Sequence, residues 1–198
     1  MDFIAATTNI GKAKEILDLL GKNHSVRTLA DIGFNDEIIE YGTTFAENAA
    51  IKALAVHKAA NTNYDYIISD DSGLIIDALD GKPGVYSARW LGADTPYFYK
   101  NEIITDMLKN VPPDKRTARF ICAMAAVNRD GEMLTAECAL EGFIAQKPSG
   151  NNGFGYDPIF YLPEKGCTLA GLSLEEKNRI SHRYLTLKNI CIKIIDKH

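Results

Sequence analysis

The hexapeptide SDDSGL at residues 69–74 follows an apolar run at residues 66–68 that is typical of a buried strand. Carboxylate oxygens are the ligands that hard divalent cations prefer, so this sequence predicts a metal site at the carboxyl end of the strand. Successive side chains of a strand point to opposite faces. We therefore expect Asp70 and Asp71 to have different roles unless the strand has already ended, which Gly73 would allow. The alternative is a strand-end turn with solvated acids.

The composition excludes several classes of protein. A length of 198 residues suits one sizeable domain, and a net charge of -4 gives no reason to expect a nucleic-acid or membrane surface. No apolar run approaches the length of a membrane-spanning helix, and the first residues lack the charged start of a secretory signal. The four cysteines do not have the spacing of zinc ligands. We therefore expect reduced thiols and a cytoplasmic location.

Hydrophobic periodicity and turn signals predict the order of the elements. In the first half of the chain the prediction is a strand at 2–7, a helix at 9–20, a strand at 24–29, a helix at 45–60 and strands at 66–68 and 74–79. In the second half it is a helix at 97–110, a hairpin of strands 119–128 and 132–146, and two helices at the end of the chain. Gly21 is the predicted stop of the first helix. Capping boxes are predicted at Thr44 with Glu47 and at Ser173 with Glu176.

The turn at residues 7–12, TTNIGK, separates the first strand from the first helix. Free backbone N–H groups and the helix dipole would face an incoming anion there, and Lys12 would add a positive charge. The turn is not a Walker A loop, because the GxxxxGK[ST] pattern is missing. The alternative is an ordinary helix N-cap with an exposed lysine.

The glycine-rich loop at residues 149–158, SGNNGFGYDP, presents two aromatic side chains and an acid. Such a loop can hold a flat ring by stacking and bind the edge of the ring through hydrogen bonds. The alternative is a plain turn whose aromatic side chains lie in the core.

Ser181 can end one C-terminal helix and N-cap the next. A break there would place His182 and Arg183 at the start of the last helix and let them converge with Lys177. The alternative for both residues is a solvated first turn. Positive charge in a first turn opposes the helix dipole, which favours a functional interpretation.

With these motifs the chain resembles the inosine triphosphatase-like family of non-canonical purine nucleoside triphosphate pyrophosphatases, also called the Ham1 or dITP/XTP pyrophosphatase family. The resemblance covers nearly the whole chain and rests on motifs in the family's order: TTNIGK at 7–12, Glu40, TFAENA at 44–49, SDDSGL at 69–74, PGVYSAR at 83–89, FGYDPIF at 154–160, Lys177 and SHR at 181–183. One departure is Thr8, where the bacterial pattern usually has glycine.

The resemblance implies an α/β, ITPase-like (Maf/Ham1) fold with a curved mixed central sheet and flanking helices. It implies one domain, residues 1–198, with two lobes and the active site in the cleft between them, and a homodimer. It also implies Mg²⁺-dependent hydrolysis of dITP, ITP and XTP to the monophosphate and pyrophosphate, a reaction that removes these nucleotides from the nucleotide pool.

Residue roles follow from the same resemblance. Asp71 would be the proton acceptor and a magnesium ligand, and Glu40 would be the other ligand. The implied substrate-binding residues are Thr7, Thr8, Asn9, Ile10, Gly11, Lys12, Ser72, Phe154, Gly155, Tyr156, Asp157, Lys177, His182 and Arg183. The resemblance is less specific about Asp70 and Lys52.

Base selection would depend on the 6-position of the purine. A fixed donor from His182 or Arg183 would pair with the 6-carbonyl of hypoxanthine or xanthine, and the 6-amino group of adenine would leave that donor unpaired.

Other functions are compatible with the sequence. A non-catalytic nucleotide sensor would be expected to lack Glu40 and Asp71, which this chain retains. The remaining alternatives are a phosphohydrolase that releases orthophosphate and a relative that acts on modified pyrimidines, as the Maf proteins do.

Overall fold

The computed structural model describes residues 1–20 and 24–197, so the predicted helix stop at Gly21 lies outside the described residues. The elements are β1 (Asp2–Ala5), α1 (Ile10–Leu20), β2 (Ser25–Thr28), α2 (Phe45–Ala59), β3 (Tyr66–Ile76), α3 (Tyr97–Met107), β4 (Thr117–Asn128), β5 (Met133–Ile144), β6 (Phe160–Leu162), β7 (Cys167–Thr168), α4 (Leu174–Ile180) and α5 (His182–Ile195). Within the described ranges, no helix is long and apolar enough to cross a bilayer.

The strands form one seven-stranded sheet in the order β2-β1-β3-β4-β5-β6-β7. Strand β1 pairs in parallel with β2 and with β3, whereas β6 pairs antiparallel with β5 and with β7. The predicted mixed sheet with flanking helices is therefore confirmed.

The chain divides into two compact units. Unit 1 consists of Met1–Asp71, Cys122–Cys138 and Arg183–His198, and unit 2 consists of Ser72–Ile121 and Ala139–His182. Each unit has its own hydrophobic core.

Alternation along β1 explains the core of unit 1. Phe3 and Ala5 pack with the apolar faces of α1 and α5, whereas Ile4 and Ala6 pack with the apolar face of α2. Because both faces of a strand are covered in this way, β1 is apolar at nearly every position rather than at every second one.

The core of unit 2 is formed around α3 and the strands of that unit. Ile104 of α3 and Leu108, the residue after it, are fully buried in this core, and the rings of Phe120 and Phe160 lie 4.6 Å apart between centroids.

The local signals at helix ends are confirmed. Thr44 with Glu47, and Ser173 with Glu176, form complete capping boxes at the starts of α2 and α4. Ser181 has extended backbone angles, φ -63° and ψ 141°, and separates α4 from α5 as predicted. Helix α3 ends at Met107, before the predicted end at residue 110, and a turn connects it to the two prolines at 112 and 113.

The predicted strand end at SDDSGL is wrong. Strand β3 runs from Tyr66 to Ile76 through the whole hexapeptide, and the predicted separate strand at 74–79 is the end of β3 followed by a 3-10 turn at Asp77–Leu79. The polar side chains are accommodated in mid-strand because they have protein partners. Ser69 Oγ, for example, donates to the carbonyl of Ala49 at 2.5 Å.

Candidate active site

Asp70 and Asp71 point to opposite faces of β3. Asp70 shares its face with Ile68, which packs in the core of α1 and α5. Asp71 shares its face with Ile67 and Ser69, whose neighbours include α2. Because the strand has not ended, the condition for different roles is met, and the two carboxylates have different partners.

The carboxylate cluster consists of Glu40, Asn48, Lys52 and Asp71. Lys52 Nζ lies 3.2 Å from Glu40 Oε1 and 3.6 Å from Asp71 Oδ1, and Asn48 Nδ2 donates to Asp71 Oδ2 at 3.1 Å. Burial raises the pKa of Asp71. Lys52 opposes that increase, and the charge of Glu40 adds to it. The cluster is a pair of carboxylates that face one shared cation.

Asn48 also holds the segment that precedes α2. Its Oδ1 accepts from the backbone N–H of Gly42 at 2.8 Å, while its Nδ2 holds Asp71. A Cβ at Gly42 would lie 2.6 Å from Asn48 Oδ1, so the close approach requires glycine. Glu47 accepts from the backbone N–H of Thr43 at 2.6 Å, which fixes the same segment a second time.

The Asp70 cluster consists of Lys12, Glu15, Asp70 and Arg183. Asp70 Oδ2 lies 2.8 Å from Lys12 Nζ and 3.3 Å from Arg183 Nε, and Arg183 also pairs with Glu15. The side chain of Asp70 has no solvent-exposed area. Burial alone would raise the pKa of Asp70, but the charges of Lys12 and Arg183 outweigh it and hold the pKa well below its usual value. Lys12 is therefore not the exposed lysine of the N-cap alternative.

The turn at 7–12 is capped by its own side chains. Asn9 Oδ1 accepts from the backbone N–H of Lys12 at 3.1 Å, and Thr7 Oγ1 accepts from that of Asn9 at 3.2 Å. The alternative of an ordinary helix N-cap is therefore correct for the cap itself, although not for an exposed lysine. Three of the turn's residues are exposed: Thr8, Asn9 and Gly11. The side chain of Ile10 lies outside the described part of the structure.

The loop cluster in unit 2 consists of Phe154, Asp157 and Lys177. Asp157 Oδ2 accepts from the backbone N–H of Phe154 at 2.8 Å and from Lys177 Nζ at 2.7 Å. Lys177 Nζ also lies 4.5 Å from the centroid of the Phe154 ring, and Phe154 is 44% exposed. A Cβ at Gly153, where φ is +77°, would lie 2.1 Å from Asp157 Oδ2, so the loop can close only around glycine. The exposed ring is available for stacking.

Tyr156 has a different environment from Phe154. It is buried, and its hydroxyl donates to the carbonyl of Ser87 at 2.8 Å. Burial raises the pKa of Tyr156. Phe154 is therefore exposed, whereas Tyr156 lies in the core, as the alternative of a plain turn predicts for the aromatic side chains of this loop.

Three predicted residues remain, Ser72, Gly155 and His182, and all of them lie in unit 2. The ring of His182 is buried and stacks on Phe120, with 5.0 Å between centroids and 6° between planes. Ser72 lies in the middle of β3 and is partly exposed.

The predictions missed two members of these clusters, Asn48 and Glu15. Each lies one helical turn from a basic residue that was noticed, Asn48 four residues before Lys52 and Glu15 three residues after Lys12. The helical spacing from Lys12 and Lys52 could have identified Glu15 and Asn48 as neighbours of those lysines. Among the described residues, no group of three or more His, Cys, Asp or Glu is arranged to hold a metal ion.

The similarity to known proteins covers nearly the whole chain, as the resemblance of the motifs does. The sequence matches the model of the Ham1 family over residues 3–192. The dITP/XTP pyrophosphatase of Listeria monocytogenes is 48% identical over 198 residues, covering 98% of this chain and 96% of that protein. The Bacillus subtilis dITP/XTP pyrophosphatase is 48% identical over 188 residues, covering 94% and 93%. The Staphylococcus aureus Ham1 protein matches the structure with a TM-score of 0.89 at 34% identity, covering 100% of both chains.

Proposed function

The chain belongs to the Ham1 family, and from that membership we propose that it hydrolyses the non-canonical purine nucleotides dITP, ITP and XTP to the monophosphate and pyrophosphate. The observation that carries the proposal is 48% identity, over nearly the whole chain, to proteins named dITP/XTP pyrophosphatase. The residue roles below are supported by the three clusters.

Asp71 is the proposed proton acceptor for the attacking water. A carboxylate is a stronger base when its pKa is raised, and burial raises the pKa of Asp71. Asn48 holds one oxygen of this carboxylate, so the side chain has a defined orientation. A base that is oriented before substrate binds needs little reorganisation during the reaction.

Mg²⁺ fits the carboxylate cluster, with Glu40 and Asp71 as its proposed ligands. Their oxygens already approach one common cation, the ammonium of Lys52, at 3.2 and 3.6 Å. A donor set of only two protein carboxylates suits Mg²⁺, which usually keeps several waters and binds substrate phosphates. When bound, Mg²⁺ would compensate phosphate charge and lower the pKa of the attacking water.

The triphosphate is proposed to bind at residues 7–12 with Lys12. Thr8, Asn9 and Gly11 at the start of α1 are exposed, and helix N-termini favour anions. Lys12 is held at 2.8 Å by Asp70, so its ammonium has a defined position before a phosphate arrives. Ser72 is assigned to the same substrate through the family motif.

The purine base is proposed to bind at the loop cluster, with His182 and Arg183 as further contacts. Phe154 offers an exposed ring for stacking, and the carboxylate of Asp157 and the ammonium of Lys177 hold the loop beside it. An N–H donor of His182 or Arg183 would form a hydrogen bond only with a base that has a 6-carbonyl.

The whole chain is proposed to act as one domain on one nucleotide. A homodimer and a cytoplasmic location, where the nucleotide pool is, complete the proposal.

The test is an assay of the products over a panel of nucleotides. The purified protein is incubated with dITP, ITP, XTP, dATP, dGTP and a modified pyrimidine nucleotide, and pyrophosphate and orthophosphate are measured separately. We expect pyrophosphate in equal amount to monophosphate, with dITP, ITP and XTP preferred. Asp71→Asn protein, purified in the same way, controls for contaminating phosphatases. Orthophosphate as the first product, or preference for the pyrimidine, would refute the proposal.

A further inference from the structure

Two neighbouring polar residues of α3, Lys100 and Asn101, are buried in unit 2 although neither belongs to the clusters described above. Lys100 has no exposed area, and Asn101 is 2% exposed. Polar side chains of this kind are rarely buried unless they are fully paired.

Lys100 is incompletely paired. Its ammonium donates to the carbonyl of Ala88 at 2.7 Å and lies 4.9 Å from the centroid of the Tyr97 ring. Burial lowers the pKa of Lys100, and within residues 1–20 and 24–197 no carboxylate forms an ion pair with it. A carbonyl and an aromatic face compensate a buried ammonium less well than an acid does.

Asn101 is also incompletely paired. Its Nδ2 donates to the carbonyl of Gly155 at 3.0 Å, but its buried Oδ1 has no hydrogen-bond partner in the described part of the chain. Turning the amide over would place two oxygens against each other, so this orientation is the better one. A leucine of similar size would avoid the cost of the unpaired oxygen.

Both side chains hold carbonyl groups of loops. Lys100 holds the loop that contains Ala88, and Asn101 holds the loop that contains Gly155. The two loops are joined to each other as well, because the hydroxyl of Tyr156 donates to the carbonyl of Ser87. The N-terminal half of α3 and the two loops therefore form one closed set of contacts.

We propose that Lys100 and Asn101 are positioning residues for purine recognition, which fix the carbonyls of Ala88 and Gly155 and so hold the Phe154 ring in place for the base. This inference rests on the proposed function, because it assigns Phe154 to the purine. Burying these two residues costs folding free energy, and the hydrogen bonds of both end on loop carbonyls. Their role is therefore better explained by the positioning of the loops than by stability.

The experiment compares Lys100→Met and Asn101→Leu with two matched controls. Lys109→Met and Asn110→Leu make the same chemical changes at exposed positions just after α3. For each protein, kcat and KM are measured with dITP and dATP, inhibition by inorganic tripolyphosphate is measured, and Tm is recorded.

We expect kcat/KM for dITP to fall about tenfold in each α3 variant, the scale of one lost hydrogen bond, mainly through KM. The value for dATP should fall by a similar factor, because any purine can stack on the Phe154 ring. Inhibition by tripolyphosphate should be unchanged, because that anion has no base. Tm should be equal or higher, and the controls should behave as the wild type. A purely structural role would not lower kcat/KM for both purine nucleotides while leaving inhibition by tripolyphosphate and Tm intact.

Wild-type kcat/KM for dITP in Asn101→Leu, or a loss that is matched by weaker inhibition by tripolyphosphate, would overturn the inference, and this variant decides alone if Lys100→Met does not fold. The proposed function is judged separately, from the wild-type protein. If the wild type hydrolyses dITP and the variants keep its kcat/KM, only the positioning role fails. If the wild type does not hydrolyse dITP, both proposals fail.

Discussion

The pKa values of Asp70 and Asp71 are displaced in opposite directions although the two residues are neighbours in the sequence. Both carboxylates are buried, which by itself raises the pKa of an acid. Asp70 faces Lys12 and Arg183, whose charges lower its pKa strongly, whereas Asp71 shares Lys52 with Glu40. Asp70 therefore stays ionised at neutral pH, and Asp71 is the carboxylate suited to accept a proton.

Asp71→Asn is expected to lower turnover at least about a hundredfold without lowering Tm, because a general base contributes on the order of a hundredfold or more. The folded-state pKa of Asp71 lies above its unfolded value, so ionisation of Asp71 at neutral pH opposes folding, and asparagine removes that penalty. The measurements are kcat with dITP and a thermal melt. Asp130→Asn, at an exposed turn, is the control. Near-wild-type turnover in folded Asp71→Asn protein would exclude Asp71 from the mechanism.

His182→Ala and Lys12→Ala should affect different parts of the substrate. His182→Ala should lower kcat/KM for dITP by about tenfold to a hundredfold more than for dATP, because the variant loses the proposed hydrogen bond to the 6-carbonyl. Lys12→Ala should lower both values alike, because every triphosphate presents the same oxygens. The measured quantity is the dITP to dATP ratio. If His182→Ala keeps the wild-type ratio, then His182 does not read the base.

At the scale of elements, the Asp70 cluster joins three of them. Lys12 and Glu15 come from α1, Asp70 from β3 and Arg183 from the first turn of α5. Because α5 begins directly after Ser181, Arg183 can pair with both Glu15 and Asp70. The first turn of α5 is thus compensated by acids rather than by solvent.

Asp70→Asn is expected to destabilise the protein by about 3 kcal/mol near neutral pH, because it removes the buried acid that Lys12 and Arg183 share. The folded-state pKa of Asp70 lies below its unfolded value of about 3.9. Its contribution to stability is therefore present above about pH 4 and decreases as the pH falls towards the folded-state value. Urea unfolding of wild type and variant at about pH 7 and about pH 3.5 should show the difference shrinking.

Asp106→Asn provides the control for that measurement, because Asp106 pairs with Lys109 on the surface and such pairs contribute little. A difference between the wild type and Asp70→Asn that is equally large at both pH values would contradict the assigned pKa direction.

For the molecule as a whole, removal of Mg²⁺ is expected to abolish activity without unfolding the protein. Lys52 already compensates Glu40 and Asp71, so these carboxylates do not need a metal ion for folding. The measurements are activity and Tm in excess chelator, followed by titration with Mg²⁺. Activity should return with Mg²⁺, and Tm should change little. Full activity in excess chelator would rule out the metal requirement.

Local signals in the sequence account for the elements that were predicted correctly. Both capping boxes and the break at Ser181 depend on side chains within a few residues of the backbone groups that they bind. The resemblance of the motifs identified the family for the same reason, because motifs are local patterns. The predicted end of β3 at SDDSGL failed because the partners that allow polar residues in mid-strand, such as the carbonyl of Ala49, are distant in the sequence.

The sequence by itself determined most of the helices and strands, the two capping boxes, the break at Ser181 and the alternation that separates Asp70 from Asp71. Only the tertiary structure decided that Lys52 lies between Glu40 and Asp71, and that α3 holds two loops through Lys100 and Asn101. The physical reason is that capping and alternation act over a few residues, whereas burial and charge compensation depend on which distant segments pack together.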